Sequence, residues 1–236
     1  MAGRVRKNSA QDAVYTILKN GIMSLQLPPG TVISTQEMAT RLNVSRTPVR
    51  EAFIRLQEEN LVDMFPQRET VVSRIDLERV LQERFIRESL EAAAVELFMD
   101  TCRPEHLQRM RDCIKEQERL LKEKDYAGFI RSDNSMHGII FEAAGQKLAG
   151  DTIMNVNGHY DRFRILTMQD EKTMANAIRQ HEHIVDLMEQ GDKEQVRREL
   201  YDHVRKLNYE KEEMLRKYPD YFATEETTDP FKIRSL

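Results

Sequence analysis

Residues 43–60 read NVSRTPVREAFIRLQEEN, and this stretch decides how the first third of the chain folds. Val49, Ala52, Phe53 and Leu56 recur at three- and four-residue spacing, which places them on one face of an α-helix. Ser45 or Thr47 offers a side-chain oxygen to cap its start. Pro48 is tolerated in the first turn, because its missing N–H would be unbonded there anyway. Arg46 and Arg50 stand one turn apart on the face opposite Val49 and Phe53. The helix therefore buries one side and presents two cations, at its N-terminal end, to whatever lies outside.

Upstream, Val14, Ile17, Leu18 and Ile22 mark an amphipathic helix ending near Gly21–Ser24, before the turn LPPG at Leu27–Gly30. A short helix follows Ser34, with Met38, Ala39 and Leu42 on one face. Downstream, LVDMF and TVVSRI, separated by PQRE, have the pattern of two short hairpin strands. Three helices followed by a β-hairpin is the winged helix-turn-helix plan. In that plan the start of the third helix meets base edges, where an arginine makes two hydrogen bonds to guanine. Arg68, in the hairpin tip, is placed to reach backbone phosphate or the minor groove. The alternative is a small structural α/β domain, against which the two arginines stand.

The whole chain has 236 residues, 40% hydrophobic and 32% charged, with only 9 Gly and 7 Pro. That mixture favours a helix-rich soluble protein over a sandwich or a disordered chain. No apolar run approaches the roughly 20 residues that span a bilayer, and MAGRVRKNSAQDAVY lacks the apolar segment of a secretory signal. No membrane partner is expected. Cys102 and Cys113 form no CxxC pair and fit a reducing cytoplasm. The net charge of −4 divides unevenly: residues 1–75 carry 10 Lys/Arg and 7 Asp/Glu, the remainder 26 and 33. A slightly basic head permits nucleic-acid binding without demanding it.

From Asp76 to about Tyr218 helical periodicity is nearly continuous. Helices are expected over 76–100, 104–124, 126–144, 147–168, 172–190 and 192–217, an antiparallel bundle of about six. Gly191-Asp192 is a helix stop followed by a new N-cap. The expected fold is mainly α: a winged helix over 1–75, an all-helical domain over 76–220 and a polar tail over 221–236. Polar residues interrupt the apolar stripes of this second part. Asp133 and His137, four apart, share a face with Phe129, Ile130, Ile140 and Phe141, and His203 shares one with Val196, Leu200 and Leu207. In QHEHIVDLMEQGD (Gln180–Asp192), Ile184, Val185, Leu187 and Met188 mark the inward face. His181 falls roughly 40° from its centre and His183 roughly 120°.

A lone inward histidine is ordinarily a core residue satisfied by a hydrogen bond. One carboxylate and three imidazoles on three helices are harder to treat as accidents, since each unpaired polar group in a core costs roughly 1–3 kcal/mol. A divalent cation would neutralise Asp133 and satisfy all three rings. One oxygen and three nitrogens suit Zn²⁺, Ni²⁺, Co²⁺ or Mn²⁺, and ligand type alone does not choose among them; zinc is the first expectation. The alternative is a hydrogen-bonded His–Asp cluster without metal.

LPPGTVIS and QEMATRLNVSRTPVREAFIRLQEENLV resemble the winged-helix signature of the GntR family of bacterial transcription regulators, over nearly all of residues 10–75. The resemblance implies DNA contacts at Thr35, Gln36, Ser45, Arg46, Thr47 and Arg50. One departure lies at the wing tip, PQRETVV, where the family has a pattern like PxxGxxV and Glu69 sets an anion in place of glycine. The second part resembles the FCD effector domain, in its shorter VanR-like form. Metal-binding members have Asp-x3-His on one helix, a His ahead of a Gly-Asp turn and a His on the last helix. Those positions fall on Asp133, His137, His181 and His203, and the domain's Arg-x3-Glu falls on Arg87 and Glu91.

A metal so held leaves coordination positions for an anionic effector. The resemblance implies a small carboxylate such as a sugar acid or another hydroxy or dicarboxylic acid. Arg87 is the first candidate to pair with it and Arg162 the second; the alternative for both is an interhelical salt bridge. The expected protein is a homodimeric, cytoplasmic regulator on a palindromic operator in double-stranded DNA, a repressor before an activator. Two other readings stay open: a metalloregulator in which the metal is the signal, and a metal-dependent enzyme, for which Glu91 and Glu142 are unplaced candidate bases.

Overall fold

The computed structural model describes residues 10–65, 69–205 and 211–224. Two compact units result, one built from the chain up to Asp76 together with the segment from Tyr218, the other running from Leu77 to Lys217. Leu207, Arg68 and residues 225–236 of the expected tail lie outside the described residues.

The first unit contains α1 (Ala10–Met23), β1 (Val32–Ile33), α2 (Thr35–Arg41), α3 (Arg46–Glu58), β2 (Val62–Met64) and β3 (Thr70–Val72). The Ser34 hydroxyl accepts the Glu37 N–H at 3.0 Å and caps α2. Ser45 precedes α3 without a side-chain cap bond. The sheet is antiparallel in the order β1-β3-β2, so β1 adds a third strand to the expected hairpin. Two residues carry too little alternation to announce a strand in sequence. Gly30 makes the entry to β1 at φ 83, its N–H donating to the Val72 carbonyl at 2.8 Å; a side chain would strain that left-handed backbone. Leu18, Ile22, Val49, Phe53, Leu56 and Val72 meet in the core. Ile17 is 52% exposed instead of buried, because it stands about 100° around α1 from its neighbour Leu18.

The C-terminal segment departs from the polar tail expected from residue 221. After a 3-10 turn at Pro219–Tyr221, Phe222 is 1% exposed and forms a parallel bridge with Ile75. The Ile75 N–H donates to the Tyr221 carbonyl at 2.8 Å and the Ala223 N–H to the Ile75 carbonyl at 3.0 Å. Arg74 Nε adds a bond to the Asp220 carbonyl. A single aromatic side chain returns this polar stretch to the winged unit. Phe222→Ala is expected to cost that unit about 3–5 kcal/mol, read as faster hydrogen exchange at the Ile75 and Ala223 amides.

The second unit consists of α4 (Leu77–Thr101), α5 (Pro104–Glu123), α6 (Tyr126–Ala143), α7 (Lys147–Val156), α8 (Gly158–Thr167), α9 (Glu171–Gln190), α10 (Lys193–Arg205) and α11 (Lys211–Lys217). Helix α6 packs on α4, α5 and α8, while α9 packs on α5 and α10, and α10 closes on α4. Gly191, at φ 75, ends α9.

The helix expected over 147–168 divides at Asn157, and a buried carboxyl group explains why. Glu83 Oε2 on α4 accepts the N–H groups of His159 at 2.9 Å and Tyr160 at 2.8 Å. These are first-turn donors with no partner inside α8, and a carboxylate there also complements the helix dipole. Burial pushes the Glu83 carboxyl up from 4.5 to about 7, against the pull of those N–H groups and Arg79. A carboxyl raised in this way adds stability below its unfolded value and loses it as pH rises through the folded one. From this group alone, unfolding free energy is expected to fall by about 3 kcal/mol between those two values. In denaturant titrations across that pH range, Glu83→Gln should flatten the slope; an unchanged slope would assign it to another group.

Candidate metal centre and DNA-reading face

Helix α6 carries Asp133 and His137, α9 carries His181 and α10 carries His203, and one ligand atom from each comes within 4.8 Å of all the others. His181 Nε2 lies 3.3 Å from Asp133 Oδ1 and 3.1 Å from His203 Nε2, and His137 Nε2 is 3.9 Å from Asp133 Oδ1. Every ring is held from behind through Nδ1: His137 by Glu91 Oε2 at 2.7 Å, His181 by Gln117 Oε1 at 2.7 Å, His203 by Gln180 Oε1 at 3.2 Å. All three Nε2 atoms therefore turn toward Asp133. Asp133 and His137 are buried, His181 is 0% exposed and His203 is half-buried. Asp133 Oδ1 and His137 Nε2 are enclosed without a hydrogen-bond partner among the described residues, an arrangement that a core tolerates only at a cost. Bonds of 2.0–2.2 Å to a shared cation put neighbouring ligand atoms about 3.3 Å apart, which the two separations at His181 match and the 3.9 Å between His137 and Asp133 exceeds. The donor set fits a divalent cation.

The electrostatics match. Burial opposes ionisation of Asp133, but Arg164, His137 and Arg87 hold its carboxyl well below the usual range. Burial lowers His181, and burial together with His181 and His137 takes His203 well below its ordinary value. Both rings are thus neutral, the form that ligates. Asp133 Oδ2 receives Arg87 at 3.2 Å and Arg164 at 2.5 Å. Arg87 Nε also meets Glu91 at 2.7 Å. The Asn134 side-chain oxygen accepts from both arginines, while its nitrogen donates to Asp161 at 2.7 Å.

A cavity of about 240 Å³ opens onto Asp133, His203, Arg87 and Arg164, with Tyr160, Thr173 and Gln180 on its wall. A second, of about 460 Å³, reaches His137, Glu91 and Arg87 from between α4, α6 and α7. Arg162 belongs to neither. It is fully buried, with Nε on the Gly158 carbonyl at 3.0 Å, so the second arginine at the cavity is Arg164 and not Arg162. Residues two apart on a helix point about 200° apart.

In the first unit, Ser45, Arg46, Thr47 and Arg50 are all exposed along the start of α3, and Gln36, with the half-buried Thr35, opens α2. Arg41 pairs with Glu37 and Arg55 with Asp12. Arg46 and Arg50 form no ion pair among the described residues, which leaves two uncommitted cations on one face. Glu69 is exposed, its carbonyl accepting the Phe65 N–H at 2.9 Å at the base of the wing tip.

Sequence reasoning missed Arg164, Asn134, Gln117 and Gln180. Gln117 left a legible signal: it interrupts the buried stripe Met110, Ile114, Leu120 of α5, as Asp133 interrupts that of α6.

A winged helix with two exposed arginines at the start of its third helix defines a DNA-binding transcription regulator. The comparisons make the class particular. Residues 10–72 match the model of the bacterial regulatory proteins of the gntR family, and residues 84–206 match the FCD domain. The chain belongs to the GntR family and carries an FCD domain; its relatives are regulators and not enzymes. It is 32% identical over 219 residues to an HTH-type transcriptional regulator from an unstable DNA locus of Streptomyces ambofaciens, covering 93% of this chain and 92% of that one. It is 29% identical over 212 residues to the HTH-type transcriptional repressor RspR of Escherichia coli K12, covering 90% and 93%. Among solved structures, McbR/YncC of E. coli superposes with a TM-score of 0.74 at 20% identity, over 89% of this chain and 99% of that one. A GntR regulator from Rhodococcus sp. RHA1 gives 0.72 at 21%, over 82% and 93%. No described helix is long and apolar enough to cross a membrane.

Proposed function

We propose that the chain represses transcription as a cytoplasmic homodimer on a palindromic operator, and that a small carboxylate bound beside a divalent cation sets its operator affinity. The observation carrying this reading is the pair of enclosed, unsatisfied atoms Asp133 Oδ1 and His137 Nε2, facing the Nε2 atoms of His181 and His203. Asp133, His137, His181 and His203 would hold the cation, zinc before nickel, cobalt or manganese. A cation so held supplies open coordination positions for a carboxylate oxygen.

Arg87 and Arg164 line the adjoining cavity and pair with the anion. Tyr160, Thr173 and Gln180 offer hydroxyl and amide groups to a hydroxylated acid, a sugar acid or another hydroxy or dicarboxylic acid. The cavity's size points to a small one, being below the roughly 300–1,000 Å³ of drug-sized pockets. Buried charge supports an anion as well. Arg87 and Arg164 stand against Glu91, Asp133 and Asp161, so a divalent cation leaves the cluster net positive, and a carboxylate offsets it.

Arg46 and Arg50 read base edges, with Ser45, Thr47, Thr35 and Gln36 beside them and Arg68 on the wing toward phosphate. A second copy covers apolar side chains such as Phe85 on α4, 67% exposed, and Leu148 on α7, 81% exposed. The repressor sign is supported by the E. coli relative that bears that name. The acid acts only through its differential affinity for two arrangements of the dimer.

Operator titration by fluorescence anisotropy tests the reading, using zinc-loaded and chelated protein and hydroxy acids added singly. One acid should weaken binding by about 10-fold or more with zinc present and not without it. Affinity that follows free zinc with no acid would make the metal itself the signal. Indifference to both would leave the cluster structural.

A further inference from the structure

We propose that Gln117 is a positioning residue for the metal centre, its amide oxygen locking His181 in the tautomer whose Nε2 is free to coordinate. The inference rests on the metal reading above and concerns a residue on a helix, α5, that supplies none of the four ligands.

Gln117 is 0% exposed within an otherwise apolar stripe. Its Oε1 lies 2.7 Å from His181 Nδ1. A carboxamide oxygen only accepts, so Nδ1 carries the hydrogen and Nε2 keeps its lone pair. That lone pair faces Asp133 Oδ1 and His203 Nε2. The other end of the amide is unsatisfied: Gln117 Nε2 is enclosed with no hydrogen-bond partner among the described residues. An orphaned N–H group in a core is destabilising, and leucine would fill a similar volume without it. This side chain therefore trades one orphaned N–H group for the satisfaction of another, on His181, and delivers orientation to that ring.

The neighbouring rings are held the same way, by Glu91 behind His137 and Gln180 behind His203. Glu91 has a second bond, to Arg87, so it also serves the ion-pair network. Gln117 has only the bond to His181 among the described residues, so its removal isolates the effect of orientation. Outer-shell partners of this kind are worth about 10–100-fold in metal affinity.

The test is zinc affinity of the full chain by competition with a chromophoric chelator, for wild type, Gln117→Leu and Gln117→Glu, with thermal melts of the metal-free proteins. Gln117→Leu should bind zinc about 10–100-fold more weakly while its metal-free melting temperature stays close to wild type, since the change removes one orphaned N–H group and leaves another on His181 Nδ1. Gln117→Glu retains an acceptor and should bind at least as tightly as wild type. Zinc affinity of Gln117→Leu equal to wild type would overturn the proposal, and so would Gln117→Glu binding more weakly than wild type. The second comparison decides alone if Gln117→Leu does not fold. Wild type that takes up no zinc would instead refute the metal reading itself.

Discussion

His181→Ala is expected to empty the metal centre, while His183→Ala, two residues along the same helix, keeps it full. His181 is 0% exposed, and its Nε2 lies 3.3 Å from Asp133 and 3.1 Å from His203; His183 is exposed on the far side of α9. Removing a ligand should cost more than the roughly 100-fold upper range seen for outer-shell partners. The alanine would also leave Gln117 Oε1 and His203 Nε2 facing an enclosed gap. Zinc competition read on both variants checks this. Loss in His183→Ala with retention in His181→Ala would overturn the facing of the helix.

Arg46→Ala and Arg50→Ala should each bring operator binding well down toward the level of unrelated DNA. One arginine–guanine pair is worth about 1–3 kcal/mol, and a two-fold complex loses it in both half-sites. The combined effect is roughly 30-fold to 2 × 10⁴-fold, a large part of the roughly 10³- to 10⁷-fold margin of specific over non-specific binding. Stability should move by no more than about 0.5 kcal/mol, because both side chains are exposed and neither is ion-paired among the described residues. Anisotropy with operator and with scrambled duplex separates the two effects. Operator binding at wild-type strength in either variant would remove that arginine from the reading face.

The long amphipathic helices were legible because one face of each is apolar: α9 carries buried Ile184, Val185, Leu187 and Met188 beside exposed His183 and Asp186. Helix α8 defeats the same reasoning. From His159 to Thr167 every residue is buried, so no polar face exists to orient it, and the arginine at the cavity could not be told from Arg162 two residues earlier. Its separate start was also unreadable, since the capping carboxylate, Glu83, comes from a helix over seventy residues away in sequence. The return of the C-terminus rests on one side chain, Phe222, in a stretch otherwise polar. Local patterning reports what a segment buries against its own face; partners supplied by distant helices leave no local trace.

The most direct measurement is metal content per chain, by elemental analysis of protein purified without chelator or a polyhistidine tag. One divalent ion per chain, falling away when His181 is replaced, is the expected result. A content near zero that persists after incubation with Zn²⁺, Ni²⁺ and Mn²⁺ would contradict the account, leaving the buried Asp–His cluster as a structural feature of a DNA-binding regulator.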